Sequence, residues 1–315
     1  MTPVIGRELI ERTLGRIDLL PLIEAGFAAY SAGRCNIPPV GELLLDKGEV
    51  HVKVGCITGE RYYVVKVASG FYGNAALGLP SNNGMMLVFD QATGVPEAVL
   101  LDEGLLTDVR TAAAGAVAAR YLAPSRIECI GVLGTGVQAR LQVRHLMPVV
   151  ACRRLLAWGR TPEHLAAYRR DMQALGFEVE TTTDPAAVAA RCRLIVTSTP
   201  SSVPLLRAQD IQSGTHINAF GSDTAHKQEL DTGILARAER IVVDSIAQCR
   251  LRGEAHQALA AGVIDETRLE EIGTLVLGQR PRRTNDTGIT VFDSTGLAVQ
   301  DVQIATAVTQ AALQI

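Results

Sequence analysis

Short apolar runs and polar turns alternate along the first third of the chain. The runs occupy residues 42–45, 49–55, 62–67, 85–89 and 96–101. Runs of this length, separated by turns such as Asp46-Lys47-Gly48 and Thr58-Gly59-Glu60, are typical of antiparallel strands joined by hairpins. An amphipathic segment at 7–32 precedes them and an Ala-rich segment at 106–122 follows, and both patterns predict helices.

From residue 128 onward, buried strands are predicted to alternate with helices. The apolar runs ECIGVLG, RRLLAWG, RLIVTST and HINAFG, with shorter ones at 177–181 and 240–244, are separated by helical segments such as 162–175. This rhythm predicts βαβ units and a parallel sheet covered by helices on both faces. The acidic stretch 254–277 is predicted to be helical, ITVFDSTG to be a last strand and 301–314 to be a closing helix.

The segment Gly134-Thr135-Gly136-Val137-Gln138-Ala139 follows a predicted strand and opens a predicted helix. In such a G-x-G-x-x-A loop the first glycine permits a tight turn, the second lets the backbone approach a pyrophosphate, and the helix N-terminus faces the phosphates. A purely structural glycine turn is the alternative. We therefore expect an α/β fold in which a Rossmann-type dinucleotide-binding domain, residues 123–296, accompanies an α+β domain formed by residues 1–122 and 297–315.

The second strand of this domain bears on the choice of cofactor. An acidic residue normally ends that strand and binds the ribose of NAD, whereas this chain has Arg160 and Thr161, which suit the 2′-phosphate of NADP. Trp158 or Arg160 is positioned to cover the adenine. NADP(H) is therefore favoured over NAD(H), with Arg160 as a merely solvated charge being the alternative.

Composition narrows the class of protein. The net charge of −3 shows no basic excess for nucleic acid, and the uncharged stretch 67–89 holds four Gly, three Asn and a Pro, which exclude a membrane helix. No secretory or transit signal is seen in the first 17 residues, the six cysteines show no C-x-x-C spacing, and the six histidines show no zinc-like spacing. We expect a cytoplasmic protein with free thiols and no bound metal.

Several motifs, in order, resemble the ornithine cyclodeaminase/mu-crystallin family over nearly the whole chain. They are VVKVASGF, GLPSNNGMMLVFDQATG, LLTDVRTAAAGAVAARYLA, the GTGVQA loop, GSDTAHKQELD and DSTGLAVQD. Within the family, GLPSNNG, GSDTAHK and CRLRGEAH look most similar to the ectoine-utilisation branch. The resemblance implies a homodimer in which the split α+β domain binds substrate and dimerises. It also implies either NAD(P)H-dependent reduction of imines, such as pyrroline-2-carboxylate or iminosuccinate, or cyclodeamination of a diamino acid such as ornithine.

The resemblance also assigns roles to individual residues. Lys66 matches the active-site lysine, Arg110 the arginine that binds the substrate carboxylate, and Asp223 the aspartate that transfers protons in cyclodeaminases. Many members carry a second arginine after the I-P-P segment, where this chain reads Val40-Gly41-Glu42, and Lys53 is the candidate substitute. The expected cofactor-binding residues are Thr111, Gly134, Thr135, Gly136, Val137, Gln138, Arg160, Thr161, Thr197, Ser198, Thr199, Ser222 and Gly296.

Each assignment has a structural alternative. Lys66 fits an edge strand, Arg110 a salt bridge at a helix start, and Asp223 an N-cap of a following helix. Residues 294–296 fit either contact with the nicotinamide ribose or an N-cap. The leading function is an NADP(H)-linked reductase of a small α-imino acid, which in reverse is an amino-acid dehydrogenase. A cyclodeaminase and a non-catalytic NADPH-dependent binder of small ligands are the alternatives.

Overall fold

The computed structural model describes residues 1–314, without the side chain of residue 75. They form two compact units, Met1–Arg110 with Ala298–Ile315, and Thr111–Leu297. The sequence-based boundaries at 122/123 and 296/297 differ from this division mainly at the first junction, which falls inside a helix. The boundary between the units falls after Arg110 because the first residues of the helix Leu105–Leu122 pack with the first unit. The sequence pattern marks only the end of this helix.

The first unit contains a seven-stranded sheet. Its strands are β1 (Val4–Gly6), β2 (Cys35–Asn36), β3 (Gly41–Leu45), β4 (Gly48–Ile57), β5 (Tyr62–Gly70), β6 (Asn82–Asp90) and β7 (Pro96–Leu101). The order is β1-β7-β6-β5-β4-β2, with β3 also paired to β4; β1 runs parallel to β7 and the other pairs are antiparallel. The predicted hairpins are therefore present, with longer strands than the apolar runs indicated.

The second unit contains an eight-stranded parallel sheet. Its strands are β8 (Ile130–Leu133), β9 (Arg154–Trp158), β10 (Glu178–Thr182), β11 (Leu194–Thr197), β12 (His216–Ala219), β13 (Arg240–Val243), β14 (Leu269–Glu271) and β15 (Thr290–Asp293). The order β10-β9-β8-β11-β12-β15-β13-β14 confirms the Rossmann-type domain. Every residue of β8, β11, β12 and β15 is buried, as expected of strands covered on both faces.

Helices complete both units. In chain order they are α1 (Arg7–Leu14), α2 (Leu19–Ser31), α3 (Leu105–Leu122), α4 (Val137–Leu146), α5 (Pro162–Ala174), α6 (Pro185–Arg191), α7 (Thr232–Arg237), α8 (Ile246–Cys249), α9 (Gly253–Ala260), α10 (Ile272–Val276) and α11 (Ala298–Leu313). Within the first unit, α11 packs against α2, β4 and β5. No helix among residues 1–314 is long and apolar enough to cross a membrane.

Two predicted helices are wrong in extent. The segment 7–32 is two helices, because the chain leaves α1 at Gly15 and Asp18 starts α2 by accepting a hydrogen bond from the Leu20 amide at 3.3 Å. The acidic segment 254–277 ends its first helix before Gly262, whose φ of +66° favours glycine, and then contributes β14 to the sheet. The parallel pairing of β14 with β13 therefore replaces the continuous helix that the acidic composition suggested.

Candidate active site

Four charged side chains meet inside the first unit. Lys66 on β5 lies directly opposite Lys53 on β4, and both are buried, with 1% and 6% of their surfaces exposed. Asp301 on α11 lies 2.8 Å from Lys66 Nζ through Oδ2 and 2.9 Å from Arg110 Nε through Oδ1. Like charges opposite each other on neighbouring strands repel. The cluster of Lys53, Lys66, Arg110 and Asp301, called the cation cluster below, is therefore arranged to hold anions.

The structure excludes the alternatives for two of these residues. Lys66 is not on an edge strand, because β4 and β6 pair with both sides of β5. Arg110 is not at a helix start, because α3 begins five residues earlier at Leu105, and its ion-pair partner is Asp301 from the far end of the chain. The alternative of a salt bridge at a helix start is therefore wrong for Arg110.

Burial and neighbouring charge set the protonation of the cation cluster. Burial and the charges of Arg110 and Lys53 lower the pKa of Lys66, Asp301 opposes them, and the result is a pKa of about 7. Burial acts to raise the pKa of Asp301, but the charges of Arg110, Lys66 and Lys53 outweigh it and the pKa is lowered. Asp301 thus stays ionised, while Lys66 is able to gain and lose a proton near neutral pH.

Gln300 and Asp102 complete the surroundings of the cation cluster. Arg110 Nη1 donates to Gln300 Oε1 at 3.0 Å, which fixes the guanidinium. Asp102 accepts a hydrogen bond from the Leu106 amide at 2.8 Å at the start of α3, and burial raises its pKa to about 6. Sequence reasoning missed Asp301 and Gln300. The available signal was that Asp301 is the one charged residue in the sequence of α11.

In the second unit, the predicted dinucleotide loop lies between β8 and α4. Gly134 has φ +118°, a conformation that favours glycine, and a Cβ there would lie 3.0 Å from Ser198 Oγ. Gly136 has an ordinary φ of −83°, and a Cβ there would meet nothing within 4 Å. The fold itself therefore does not require glycine at 136, whereas a phosphate approaching the backbone would.

A cavity of about 320 Å³ opens beside this loop. It is lined by Gly134, Thr135, Gly136, Trp158, Gly159, Arg160, Thr161, His164, Ser198, Thr199, Pro200, Ser201 and Leu205. No carboxylate is among these lining residues. Thr161 precedes α5 without capping it, and its hydroxyl oxygen is buried with no hydrogen-bond partner among the described residues. This donor set fits a dinucleotide.

One buried carboxylate holds two of the loops that follow the parallel strands. Glu229 accepts hydrogen bonds from the Thr199 amide and hydroxyl, from the Thr197 hydroxyl and from the Gly221 amide, at 2.6–2.9 Å. Burial raises the pKa of Glu229 to about 7 against these hydrogen bonds, which lower it. Thr197 therefore faces Glu229 and does not line the cavity, whereas Ser198 and Thr199 do.

The structure places Asp223 in the second unit, in the loop after β12. Its carboxylate lies 2.7 Å from Lys227 Nζ, and Ser222 Oγ donates to the Lys227 carbonyl at 2.6 Å. No helix follows directly, because α7 starts nine residues later with Asp231 as its N-cap. The N-cap alternative for Asp223 is therefore wrong.

The segment after β15 is fixed by another buried carboxylate. Asp244 accepts hydrogen bonds from the Ser294 hydroxyl at 3.0 Å and from the amides of Thr295 and Gly296 at 2.9 and 2.8 Å. These residues precede α11, which begins at Ala298. Of the other predicted residues, Thr111 lies on α3 and Val137 and Gln138 open α4. Residues 1–314 contain no group of three or more His, Cys, Asp or Glu placed to hold a metal ion.

The profile of the ornithine cyclodeaminase/mu-crystallin family matches residues 5–314. The chain belongs to this family. Three relatives are an uncharacterized cyclodeaminase of Sinorhizobium fredii (39% identical over 297 residues, covering 92% of this chain and 89% of the relative), alanine dehydrogenase of Archaeoglobus fulgidus (35% over 316 residues, 99% and 95%) and iminosuccinate reductase of Paracoccus denitrificans (35% over 292 residues, 92% and 90%).

Solved structures of the ornithine cyclodeaminase/mu-crystallin family agree with the fold. An archaeal alanine dehydrogenase dimer with bound NAD has a TM-score of 0.91 and 33% identity, covering 99% of this chain and 96% of that one. Δ1-pyrroline-2-carboxylate reductase of Thermococcus litoralis, in complex with NADH and L-proline, has a TM-score of 0.92 and 27% identity, covering 99% and 98%. The chain is thus an enzyme of the nicotinamide-dependent reductase, dehydrogenase and cyclodeaminase type, and its predicted place in the ectoine-utilisation branch stays a prediction.

Proposed function

We propose that the protein reduces a small α-imino acid with NAD(P)H and, in reverse, oxidises the corresponding amino acid. The observation that carries this proposal is the cation cluster, in which a buried lysine of near-neutral pKa lies beside a buried arginine and a second buried lysine. An α-imino acid needs both features, a cationic fork for its carboxylate and a proton donor for its nitrogen. The named relatives that act on alanine, iminosuccinate and pyrroline-2-carboxylate support this class of substrate.

The roles of the residues follow from their chemistry. Arg110, held by Asp301 and Gln300, and Lys53 bind the substrate carboxylate. Lys66 donates a hydrogen bond to the imine nitrogen, or protonates it, and so makes the imine carbon a better hydride acceptor. A bound nicotinamide dinucleotide supplies the hydride. Asp223 remains a candidate for proton transfer.

Residues of the second unit are proposed to hold the cofactor. They are Thr111, Gly134, Thr135, Gly136, Val137, Gln138, Arg160, Thr161, Ser198, Thr199, Ser222 and Gly296. Thr197, also predicted from the sequence, faces Glu229 and does not line the cavity. We propose NADP(H) as the preferred form, because Arg160 and Thr161 line a cavity that no carboxylate lines. NADPH is then expected to bind at least about tenfold more tightly than NADH, as one charge-assisted contact provides. The variant Arg160→Asp should reverse this preference, and equal titration curves for the two cofactors would refute it.

The test of the function is a panel of substrates. NADPH oxidation at 340 nm, or NADH oxidation, is followed with 2-oxo acids plus ammonia or methylamine and with cyclic imines such as pyrroline-2-carboxylate. We expect turnover of at least one imine, and a kcat lowered by about 10²–10⁴ in Lys66→Met. Absence of turnover across the panel, with ammonia released from a diamino acid in the presence of catalytic NAD⁺, would replace the reductase by a cyclodeaminase. The cyclodeaminase is kept as the second candidate because Asp223 lies in a loop and caps no helix, which leaves its carboxylate available for proton transfer.

Assembly and location are also proposals. We propose a homodimer formed through the split domain of residues 1–122 and 297–315, because β3 exposes Leu43, Leu44 and Leu45 at 56%, 62% and 47%. Light scattering should give a mass near twice 33.6 kDa, and a strictly monomeric species at micromolar concentration would refute this. A cytoplasmic location is proposed because all six cysteines are free thiols, as is usual in a reducing compartment.

A further inference from the structure

Glu229 is a fully buried side chain that the reaction chemistry does not use. Its Oε1 accepts from the Thr199 amide at 2.6 Å and the Thr199 hydroxyl at 2.7 Å. Its Oε2 accepts from the Thr197 hydroxyl at 2.6 Å and the Gly221 amide at 2.9 Å. Each oxygen therefore receives one backbone amide and one threonine hydroxyl.

This arrangement specifically requires a carboxyl group. Backbone amides only donate, so both oxygens of Glu229 must accept, which glutamine at the same position cannot do because one of its two end groups is an NH₂ donor. A Cβ at Gly221 would overlap Glu229 Oε2, so glycine is also required where the loop approaches the carboxylate. The contact therefore requires a carboxyl group at residue 229 and a glycine at residue 221.

The two loops joined by Glu229 follow neighbouring strands of the parallel sheet. The segment 197–199 begins at the last residue of β11, and Gly221 follows β12, which pairs with β11. Since β8 and β11 also pair, the segment 197–199 lies beside the glycine loop, and the Ser198 amide donates to the Leu133 carbonyl at 3.0 Å. Ser198 and Thr199 line the same cavity as Gly134 and Gly136. The Glu229 carboxylate therefore holds Thr199, which lines the cavity, without lining the cavity itself.

We propose that Glu229 is a positioning residue for dinucleotide binding, which holds the segment 197–199 against the glycine loop and thereby sets the affinity for the cofactor. The inference rests on the proposed function only in that the cavity binds a nicotinamide dinucleotide. A preformed wall avoids the ordering cost that a mobile loop would add on binding.

A second buried carboxylate offers a matched control. Glu254 is 1% exposed and accepts from the Glu229 amide at 2.7 Å and the Leu230 amide at 3.2 Å, so Glu254→Gln makes the same chemical change at the same depth. The two residues that donate to Glu254 are not among those that line the cavity. If Glu229 only stabilised the fold, Glu229→Gln and Glu254→Gln would have similar effects on the thermal midpoint and on the Kd of the cofactor.

The experiment measures cofactor binding by fluorescence titration with NADPH and NADH, together with the thermal midpoint of each apo-protein. We expect Glu229→Gln to raise the Kd of the preferred cofactor at least about tenfold, because one amide donor is left facing an NH₂ group. Glu254→Gln should lower the thermal midpoint with less than about a threefold change in Kd.

A second pair of variants decides the matter if Glu229→Gln does not fold. Thr197 is buried and donates to Glu229 without lining the cavity, so Thr197→Val should weaken cofactor binding and Thr197→Ser, which keeps the hydroxyl, should restore it. Unchanged Kd values in these variants, with a lowered thermal midpoint, would overturn the inference. If the unmodified protein binds neither NADPH nor NADH, it is the proposed function that fails.

Discussion

Replacing Asp301 by asparagine tests the electrostatic design of the cation cluster. Asparagine keeps the shape of the side chain but removes the charge that Lys66 and Arg110 share at 2.8 and 2.9 Å. At an effective dielectric constant of about 20, each contact corresponds to roughly 6 kcal/mol of Coulomb attraction. Most of that is offset by the desolvation of the ions, and removing one partner of a buried pair costs about 3–5 kcal/mol. We therefore expect the free energy of unfolding of Asp301→Asn to fall by about 3–5 kcal/mol.

The same variant should move the protonation of Lys66. Asp301 raises the pKa of Lys66 against burial and against its cationic neighbours, which together hold it at about 7. Without Asp301 the pKa falls further, and the limb of the pH profile of kcat that reports Lys66 should move to lower pH by at least about one unit.

The measurement combines urea unfolding with a pH profile of imine reduction at saturating NADPH. Asp90→Asn is the control, because Asp90 is a carboxylate of the first unit that accepts hydrogen bonds from the Ala92 and Thr93 amides in its own turn, and Lys66 is not among the groups that shift its pKa. It should leave the limb in place. The reasoning is refuted if Asp301→Asn is as stable as the unmodified protein and its limb does not move.

Three further predictions concern Lys66, Asp223, and the pair of buried acids Glu229 and Asp293. Lys66→Met should lower kcat by about 10²–10⁴ and should also lower the free energy of unfolding, because it removes one ion-pair partner of the buried Asp301; full activity in urea-stable Lys66→Met would contradict this. Asp223→Asn should lower kcat by about 10²–10⁴ if this carboxylate moves a proton, and full activity would leave it only as the ion-pair partner of Lys227. Burial raises the pKa values of Glu229 and Asp293 from 4.5 and 3.8 to about 7. Between the lower and the raised pKa values, the folded protein therefore binds more protons than the unfolded chain. Their contribution to stability should be lost as the pH rises through 7, seen as a falling thermal midpoint, and a midpoint rising between pH 5 and 7 would contradict it.

Strands could be predicted from the sequence where buried residues either alternate with less buried ones or follow one another without interruption. Residues such as Tyr62, Val64 and Lys66 alternate with less buried neighbours along β5, and the apolar runs of β8 and β11 are buried throughout. The pattern fails at β14, where Leu269 is followed by two glutamates and only pairing with β13 makes the segment a strand. That pairing is a tertiary contact, which local composition does not encode.

The candidate site was predictable only in part for a related reason. Lys66 and Arg110 are marked by motifs in their own segments, whereas Asp301, which holds both, is separated from Lys66 by 235 residues. Glu229 lies inside the motif GSDTAHKQELD, but Asp223, His226 and Lys227 are equally plausible polar candidates there. Its importance comes from backbone amides that meet it in the fold, and amides carry no sequence signal.

The discontinuous first unit has a consequence for synthesis on the ribosome. The sheet of β1–β7 is complete in sequence by residue 101, but the helix α11, which packs on β4 and β5 and carries Asp301, is translated only after the whole second unit. The second unit, in contrast, is one continuous stretch that ends at Leu297. Domains fold as units during translation. The second unit is therefore able to fold before the first unit is complete. Strands β1–β7 remain without the packing of α11 until α11 has been translated.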